Sequence, residues 1–441
     1  MKKYDEILIG SGPAAYKMAN LLARTSHKVL VIEGFEYGGT CPNYGCEPKI
    51  FLEGAVRTVL QSQQLLNHGI GQPAQLDWQA LMRTKLARFN TWPAETREII
   101  KRNHDIEDGY AHFVDDHTIM VNGYQYQANH IIIATGQAPN ILDIPGKKYL
   151  HTSYDLLSLK QLPKRIAVIG AGFVGLELAT LVAAAGADVT VIVHSDRVLR
   201  DFTAVEDRAL VEAMQDRGIQ FRFNTVTKAV SQTAAGLKIV TNQGSVKTDY
   251  ILDATGRRPN VERLALANTG IKHDRHGIKV DGHLMTSVDG VYAIGDVVSR
   301  KQPKLTPVAE FEGHYLFDYL TGKTSQEIVY PIIGQAAFTF PEVARVGVNA
   351  DDVADNADYR VKMVPLKYGS LYAGQNDQVS TLTLVFKGQQ LVGVSEIGDY
   401  AADDINNFLP IIGLKISGEE YRKRILAIYP TLGDKVAGLL P

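Results

Sequence analysis

The sequence uses one supersecondary unit twice. Residues 4 to 33 read as a strand (Tyr4 to Ile9), a glycine turn at Gly10, Gly12 and Ala15, a helix, and a strand from Lys28 to Ile32 closed by Glu33. Residues 165 to 193 repeat the pattern as RIAVIGAGFVGLELATLVAAAGADVTVIV, with Gly170, Gly172 and Gly175 in register with those three positions. The glycines permit a tight turn and let a pyrophosphate reach the helix N-terminus, and an acid closing the second strand accepts hydrogen bonds from a ribose diol. One such fingerprint is a weak signal; two in one chain predict two dinucleotide-binding domains.

Two further echoes support the duplication. IIIATG (Ile131 to Gly136) and ILDATG (Ile251 to Gly256) each read as a buried strand ending in a small-residue turn, some distance after its own βαβ unit. The segment Thr286 to Val297 is an apolar strand ending in Gly295 and Asp296, where an acid suits a polyol hydroxyl or serves as an ordinary turn residue. After about residue 326 the texture changes. Ser380 to Phe386 alternates as a half-buried strand, KGQQ turns it, and LVGVSEIG returns as its partner. A helical stretch from about Ala401 to Ser417, broken by Pro410, and another after Gly418 complete an α+β region with no cofactor motif, whose expected work is assembly. The loosest stretch is Asn67 to Gln75.

Composition narrows the partners. At 441 residues there is room for about three domains of ~150 residues. A net charge of -2 with Lys and Arg scattered argues against nucleic acid, and Asp5 and Glu6 interrupt any signal-peptide core. No run of ~18 apolar residues is present, so the expectation is a soluble cytoplasmic protein without a membrane partner. Only two cysteines occur, Cys41 and Cys46, both in one Gly-rich segment. That is too few for a secreted disulfide framework, and the further Cys or His ligands of a zinc site do not follow, so no metal site is expected.

The segment GGTCPNYGCEPK, Gly38 to Lys49, resembles the GGTCxNxGCxPxK signature of the two-cysteine flavoprotein disulfide reductases, the family of glutathione reductase, dihydrolipoamide dehydrogenase and mercuric reductase. The resemblance covers essentially the whole chain: both fingerprints, the ATG turn, GRRPN (Gly256 to Asn260), VYAIGDV and LTPVA (Leu305 to Ala309). It implies an α/β fold with two Rossmann-like domains, for FAD and NAD(P), plus a C-terminal α+β interface domain that forms a homodimer. The expected segments are 1–147 and 266–325 for FAD, 148–265 for NAD(P) and 326–441 for the interface.

Carried over position by position, the resemblance marks Gly10, Gly12, Pro13, Ala14, Ala15, Glu33, Gly39, Thr40, Lys49, Ala134, Thr135 and Gly136 as cofactor contacts, with Gly295, Asp296, Leu305, Thr306 and Ala309 closing the set from later in the chain. LTPVA in this family begins a helix whose N-terminus faces flavin N1 and O2. Gly170, Gly172, Phe173, Val174, Gly175, Glu177, Gly256 and Arg257 are the corresponding positions around the second fingerprint; Phe173 stands where many relatives have a Tyr that swings aside for nicotinamide, and either gates without the hydroxyl or is simply core. Cys46 is expected against the flavin and Cys41 toward a disulfide substrate, both thiolates favoured by the start of a helix. Lys49 is expected near flavin N5, paired with Glu177.

Three departures bear on the substrate and cofactor. Glu33 lies 23 residues after Gly10, and the same count from Gly170 reaches Val193, so the acid that would repel a 2′-phosphate is missing; His194, Ser195 and either Arg197 or Arg200 suit that phosphate, and NADPH is expected over NADH. Glutathione reductases place Arg residues where this chain has Asn20 and His314. The family's HPTxxE becomes YPTLGD, so Tyr429 and Asp434 stand in place of the proton-donating His and its Glu, unless Tyr429 is a packed core aromatic. Mercuric reductase fits poorly, since the chain ends at Pro441 without a C-terminal cysteine pair. The leading expectation is an NADPH-dependent reductase of a small-molecule disulfide or other oxidised acceptor. A quinone or metal-ion reductase on the same frame, and a flavin-binding redox sensor, are the alternatives.

Overall fold

A computed structural model describes residues 2–441. The chain folds into two compact units, one from residues 1–51, 83–140 and 256–330, the other from 52–82, 141–255 and 331–441.

The first unit is built on a seven-stranded sheet. Its parallel part runs Asp105–Asp108, Val29–Glu33, Lys2–Ile9 and Tyr124–Ile133, and an antiparallel hairpin, His112–Asp115 and Thr118–Val121, continues it. The long strand Tyr124–Ile133 is shared: its first half pairs with the hairpin, and where the hairpin leaves, Val291–Ala293 joins in parallel. Ile7, Leu8, Ile131, Ile132 and Val291 are fully buried, as strands covered on both faces must be. One face packs on Phe113, Ile119 and Ile278; the other on the helix Pro13–Leu22, which lies against the helix Thr306–Leu320. Their approach is close enough that a Cβ on Gly313 would sit 2.3 Å from the Ala14 carbonyl oxygen.

The second unit repeats the theme with four parallel strands, in the order Gln220–Arg222, Asp188–Ile192, Arg165–Ile169, Tyr250–Asp253, and adds a three-stranded antiparallel sheet. It also holds a five-stranded antiparallel sheet in the order Gly334–Ala337, Glu342–Gly347, Gln390–Gly398, Thr381–Lys387, Tyr359–Pro365. The strand expected at 380–386 forms at Thr381–Lys387 but is buried on both faces, not half-buried. Cover on both faces of the sheet is the reason. Leu382, Leu384 and Phe386 meet the helical layer of Ala401, Ile405 and Phe408 on one side, and Thr383 and Val385 on the other side are covered as well. Pro410 does break the helical stretch, giving Ala401–Asn406 and Leu409–Gly413 with the proline in the first turn of the second. Among the described residues no helix is long and apolar enough to cross a membrane.

Candidate active site

The first glycine turn is a cradle that side chains would fill. Gly10 has φ +110°, and a Cβ there would stand 2.4 Å from the Ala134 carbonyl oxygen; Gly39, at φ +68°, would press within 2.9 Å of Gly12 Cα. The helix Pro13–Leu22 begins at Gly12 with no side-chain cap, so its first N–H groups are left for an anion. Glu33 ends its strand as expected. Its carboxylate accepts from Ser11 N–H (3.0 Å), Ser11 Oγ (2.6 Å) and Phe35 N–H (2.8 Å). Burial pushes its pKa up, and those hydrogen bonds oppose the shift. Ser11 occupies a variable position of the fingerprint, so nothing in the pattern announced it.

The ATG turn is latched from a distance. Thr135 Oγ1 donates to the Asn260 carbonyl at 2.8 Å, Asn260 Nδ2 returns a bond to Thr135, and Asn260 N–H reaches the Gly136 carbonyl. Arg257 Nη2 donates to the Gln137 carbonyl (2.6 Å) and lies 3.3 Å from Thr40 Oγ1. GRRPN therefore sits with the first unit and ties Thr40 to the ATG turn. Asp296 follows Gly295 in a short 3-10 turn, its pKa raised by burial against the cations Arg300, Arg257 and Lys304. Leu305 caps the helix Thr306–Leu320, whose first turn likewise lacks a side-chain cap and includes the buried Ala309. This cradle, two uncapped helix N-termini and a polyol-matched acid fit an FAD.

The cysteines lie on two helices, not one. Cys41 is in Thr40–Tyr44, Gly45 breaks the chain direction, and Cys46 is the first residue of Cys46–Gln64. The expectation that both thiolates are favoured is corrected. Cys46 is brought down to about 6, chiefly by a hydrogen bond from Cys41, helped by Thr306, the Lys49 charge one turn on and its own backbone N–H. Cys41 moves well above the ordinary thiol value, because its hydrogen bond to Cys46, burial and the Cys46 charge all favour its protonated form. The pair thus holds one proton, on Cys41. Thr306 Oγ1 stands 3.6 Å from Cys46 Sγ, an interaction the sequence did not predict.

The second fingerprint repeats the first in the second unit. Gly170, at φ +106°, would place a Cβ 2.4 Å from the Ala254 carbonyl oxygen, and Gly175 one 2.3 Å from the Gly170 carbonyl oxygen. The helix Phe173–Ala184 starts at Gly172 uncapped, and Phe173 at its head is exposed. Glu177 is buried and accepts Phe338 N–H at 2.8 Å. Beyond Val193, His194 and Arg200 are exposed. Ser195 is buried with its hydroxyl bonded to the Arg197 carbonyl, and Arg197 donates to Asp207 at 2.7 Å and to the Phe202 carbonyl, with Asp351 3.5 Å away. Asp207, a helical residue without any sequence signal, holds Arg197.

Tyr429 is not a packed core aromatic within the chain. It is 74 % exposed, beside Leu426 and Ile428, which are also bare. Asp434 does not hold it; its carboxylate takes Lys435 Nζ at 2.6 Å, while the Lys435 ammonium lies 5.2 Å from the Tyr429 ring centre.

Comparison with known proteins agrees with this architecture. Residues 4–313 match the model of the pyridine nucleotide-disulphide oxidoreductases, and residues 333–439 match their dimerisation domain. A dihydrolipoyl dehydrogenase of Staphylococcus aureus is 28 % identical over 448 residues, covering 98 % of this chain and 94 % of that one. A glutathione reductase of Nostoc sp. is 28 % identical over 98 % of both chains, and a mercuric reductase of Lysinibacillus sphaericus is 29 % identical over 91 % of this chain and 76 % of its own. The HOCl-induced flavoprotein disulfide reductase RclA from Escherichia coli shares the fold, with a TM-score of 0.89 over 99 % of each chain at 24 % identity.

Proposed function

The chain belongs to the pyridine nucleotide-disulphide oxidoreductase family, and from that premise we propose that it is an NADPH-dependent FAD enzyme that reduces a small-molecule disulfide through Cys41 and Cys46. The asymmetric thiol pair carries this reading: the Cys41 hydrogen bond, Thr306 at 3.6 Å from the Cys46 sulfur, and Lys49 favour the anion on Cys46, while the Cys46 contact and burial favour the proton on Cys41. FAD, when bound, would take two electrons from the reduced nicotinamide and pass them to the cysteine pair. Gly10, Gly12, Gly39 and the first turn of Pro13–Leu22 would hold its pyrophosphate, Glu33 its ribose and Asp296 its polyol chain. Lys49 is the residue of the first unit proposed to act on the flavin ring, and Phe173 and Glu177 are the residues of the second unit proposed to serve the nicotinamide.

In the reduced pair Cys41 attacks one sulfur of the substrate as its proton passes along the hydrogen bond to Cys46, and one substrate thiolate leaves. Cys46 hands that proton to the departing thiolate, then attacks Cys41 Sγ. The Cys41–Cys46 bond forms and the second thiolate is released. Thr306 and Lys49 keep Cys46 anionic for that step. Because a phenol is a poorer proton donor than the imidazole it replaces at position 429, an acceptor that demands little proton donation, such as a disulfide with an acidic leaving thiol, a quinone or a metal ion, is favoured over an alkyl disulfide. The exposed run Ile425, Leu426, Ile428 and Tyr429 in the dimerisation domain supports a homodimer built through residues 326–441.

The test is initial rates under NADPH with oxidised glutathione, other low-molecular-weight disulfides, quinones, and copper or mercury salts, together with anaerobic NADPH titration. A long-wavelength thiolate–flavin band and turnover of at least one disulfide are expected. Turnover of only quinones or metal ions would move the assignment to the second acceptor class, and absence of the band would remove the dithiol relay.

A further inference from the structure

The turn at Gly295 and Asp296 is gripped from beneath by buried charges that no motif of the sequence announced. Glu312, in the helix Thr306–Leu320, is wholly buried. Its carboxylate accepts Gly295 N–H at 2.7 Å, Arg300 Nη1 at 2.9 Å and the Tyr330 hydroxyl at 2.6 Å. Arg300 Nη1 also donates to the Gly295 carbonyl at 2.6 Å, so one glycine is held by opposite charges at its two backbone groups. Gly295 has φ +75°, a conformation with no side chain of its own to secure it. Lys304 Nζ takes the next carbonyl, that of Asp296, at 2.7 Å, and the His276 carbonyl at 2.9 Å. The grip acts on the backbone of this turn, and the Asp296 carboxylate meets cationic side chains. Arg300 Nη2 lies 3.8 Å from that carboxylate, and Arg300 Nε and Nη2, on a side chain 5 % exposed, have no hydrogen-bond partner among the described residues.

A buried ion pair is a poor device for stability, since desolvating both partners offsets most of their attraction. Its placement, on the two backbone groups of a single turn residue, fits a positioning role better. We infer that Arg300 and Glu312, seconded by Lys304, are positioning residues that fix the Gly295–Asp296 turn and set the net charge at this part of the FAD site. The inference rests on the FAD reading above. Three cations, Arg300, Arg257 and Lys304, and one anion, Glu312, act on the Asp296 carboxylate, and the first turn of Thr306–Leu320 adds its own positive end. Reduction adds negative charge to a flavin, so removing the anion and removing a cation have opposite consequences. A pair that served packing alone would give both losses the same sign.

The experiment measures the flavin midpoint potential, FAD affinity and melting temperature of the full-length FAD-loaded protein as Glu312→Gln, Arg300→Met, the double variant and Lys304→Met. Glu312→Gln is expected to raise the potential, Arg300→Met and Lys304→Met to lower it, and the double variant to return toward wild type. Lys304 is only half-buried, so its variant keeps the test alive if the buried ones do not fold. Shifts of one sign in all variants, or unchanged potentials with a lowered melting temperature, would overturn the inference and leave the FAD reading standing. A wild type that takes up no FAD would overturn both.

Discussion

The Cys46 sulfur lies 3.6 Å from the hydroxyl of Thr306, a residue 260 positions further along the chain. That contact, with the hydrogen bond from Cys41, separates the two thiols. The Cys46 thiolate should titrate near 6 while Cys41 stays protonated through neutral pH. A hydrogen bond to a charged group is worth about 1.5 kcal/mol or more, so Thr306→Val is expected to raise the Cys46 value by about one unit. The pH dependence of iodoacetamide alkylation of the reduced protein reads it directly; an unshifted profile would remove Thr306 from the account.

The two glycine cradles can be disabled separately. A Cβ on Gly10 would meet the Ala134 carbonyl, and one on Gly170 the Ala254 carbonyl, each at 2.4 Å and each at positive φ. Gly10→Ala should weaken FAD binding at least about tenfold, a loss of ~1.4 kcal/mol. Gly170→Ala should leave flavin content intact and raise KM for the nicotinamide cofactor instead. Flavin absorbance per chain and steady-state kinetics distinguish the two.

Arg197 and Arg200 should part company. Arg197 is engaged by Asp207 and the Phe202 carbonyl, whereas Arg200 is exposed. Arg200→Ala is expected to raise KM for NADPH about tenfold without affecting NADH, the usual scale for a charge-assisted phosphate contact of ~1.5 kcal/mol. Arg197→Ala should lower the melting temperature, because it strands a buried carboxylate. The wild type should show the higher kcat/KM with NADPH; a ratio at or below that for NADH would sink the cofactor assignment.

Buried acids in the second unit give stability a pH dependence of unusual sign. Burial raises Glu342 and Asp207 to about 7 and Asp399 and Asp404 to about 6. Their folded values exceed their ordinary ones, so the folded state holds more protons between about 4 and 7, and their contribution falls as pH rises through that window. Melting temperature should therefore fall from pH 5 to pH 7. Glu342, which pairs with Arg57 and accepts Ala402 N–H, carries part of the slope. In Glu342→Gln the fall should be shallower, as differential scanning calorimetry would show.

Tyr429 is exposed in the single chain, so Tyr429→Phe and Tyr429→His should leave the fold of the chain itself intact. If the missing imidazole limits alkyl disulfide reduction, Tyr429→His should speed it by about a hundredfold. Rapid wild-type turnover of alkyl disulfides, unmoved by either substitution, would show that Tyr429 has no part in choosing the acceptor.

Much of this protein was legible in its sequence because the signals are local. A glycine at a left-handed turn, a strand ending in Glu33 and two cysteines five positions apart need only neighbouring residues to state their purpose. What the tertiary structure alone decided are relationships between distant residues. Thr306 helps settle which sulfur keeps the proton; Asp207 takes hold of Arg197, one of two candidate phosphate ligands; Glu312 and Arg300 clasp Gly295. None of these has a spacing rule, since a buried charge finds its partner through the packing of separate elements. The strand Thr381–Lys387 shows the same limit: alternation predicts one wet face, and only its place between two neighbours in a sheet covered on both sides buried the second.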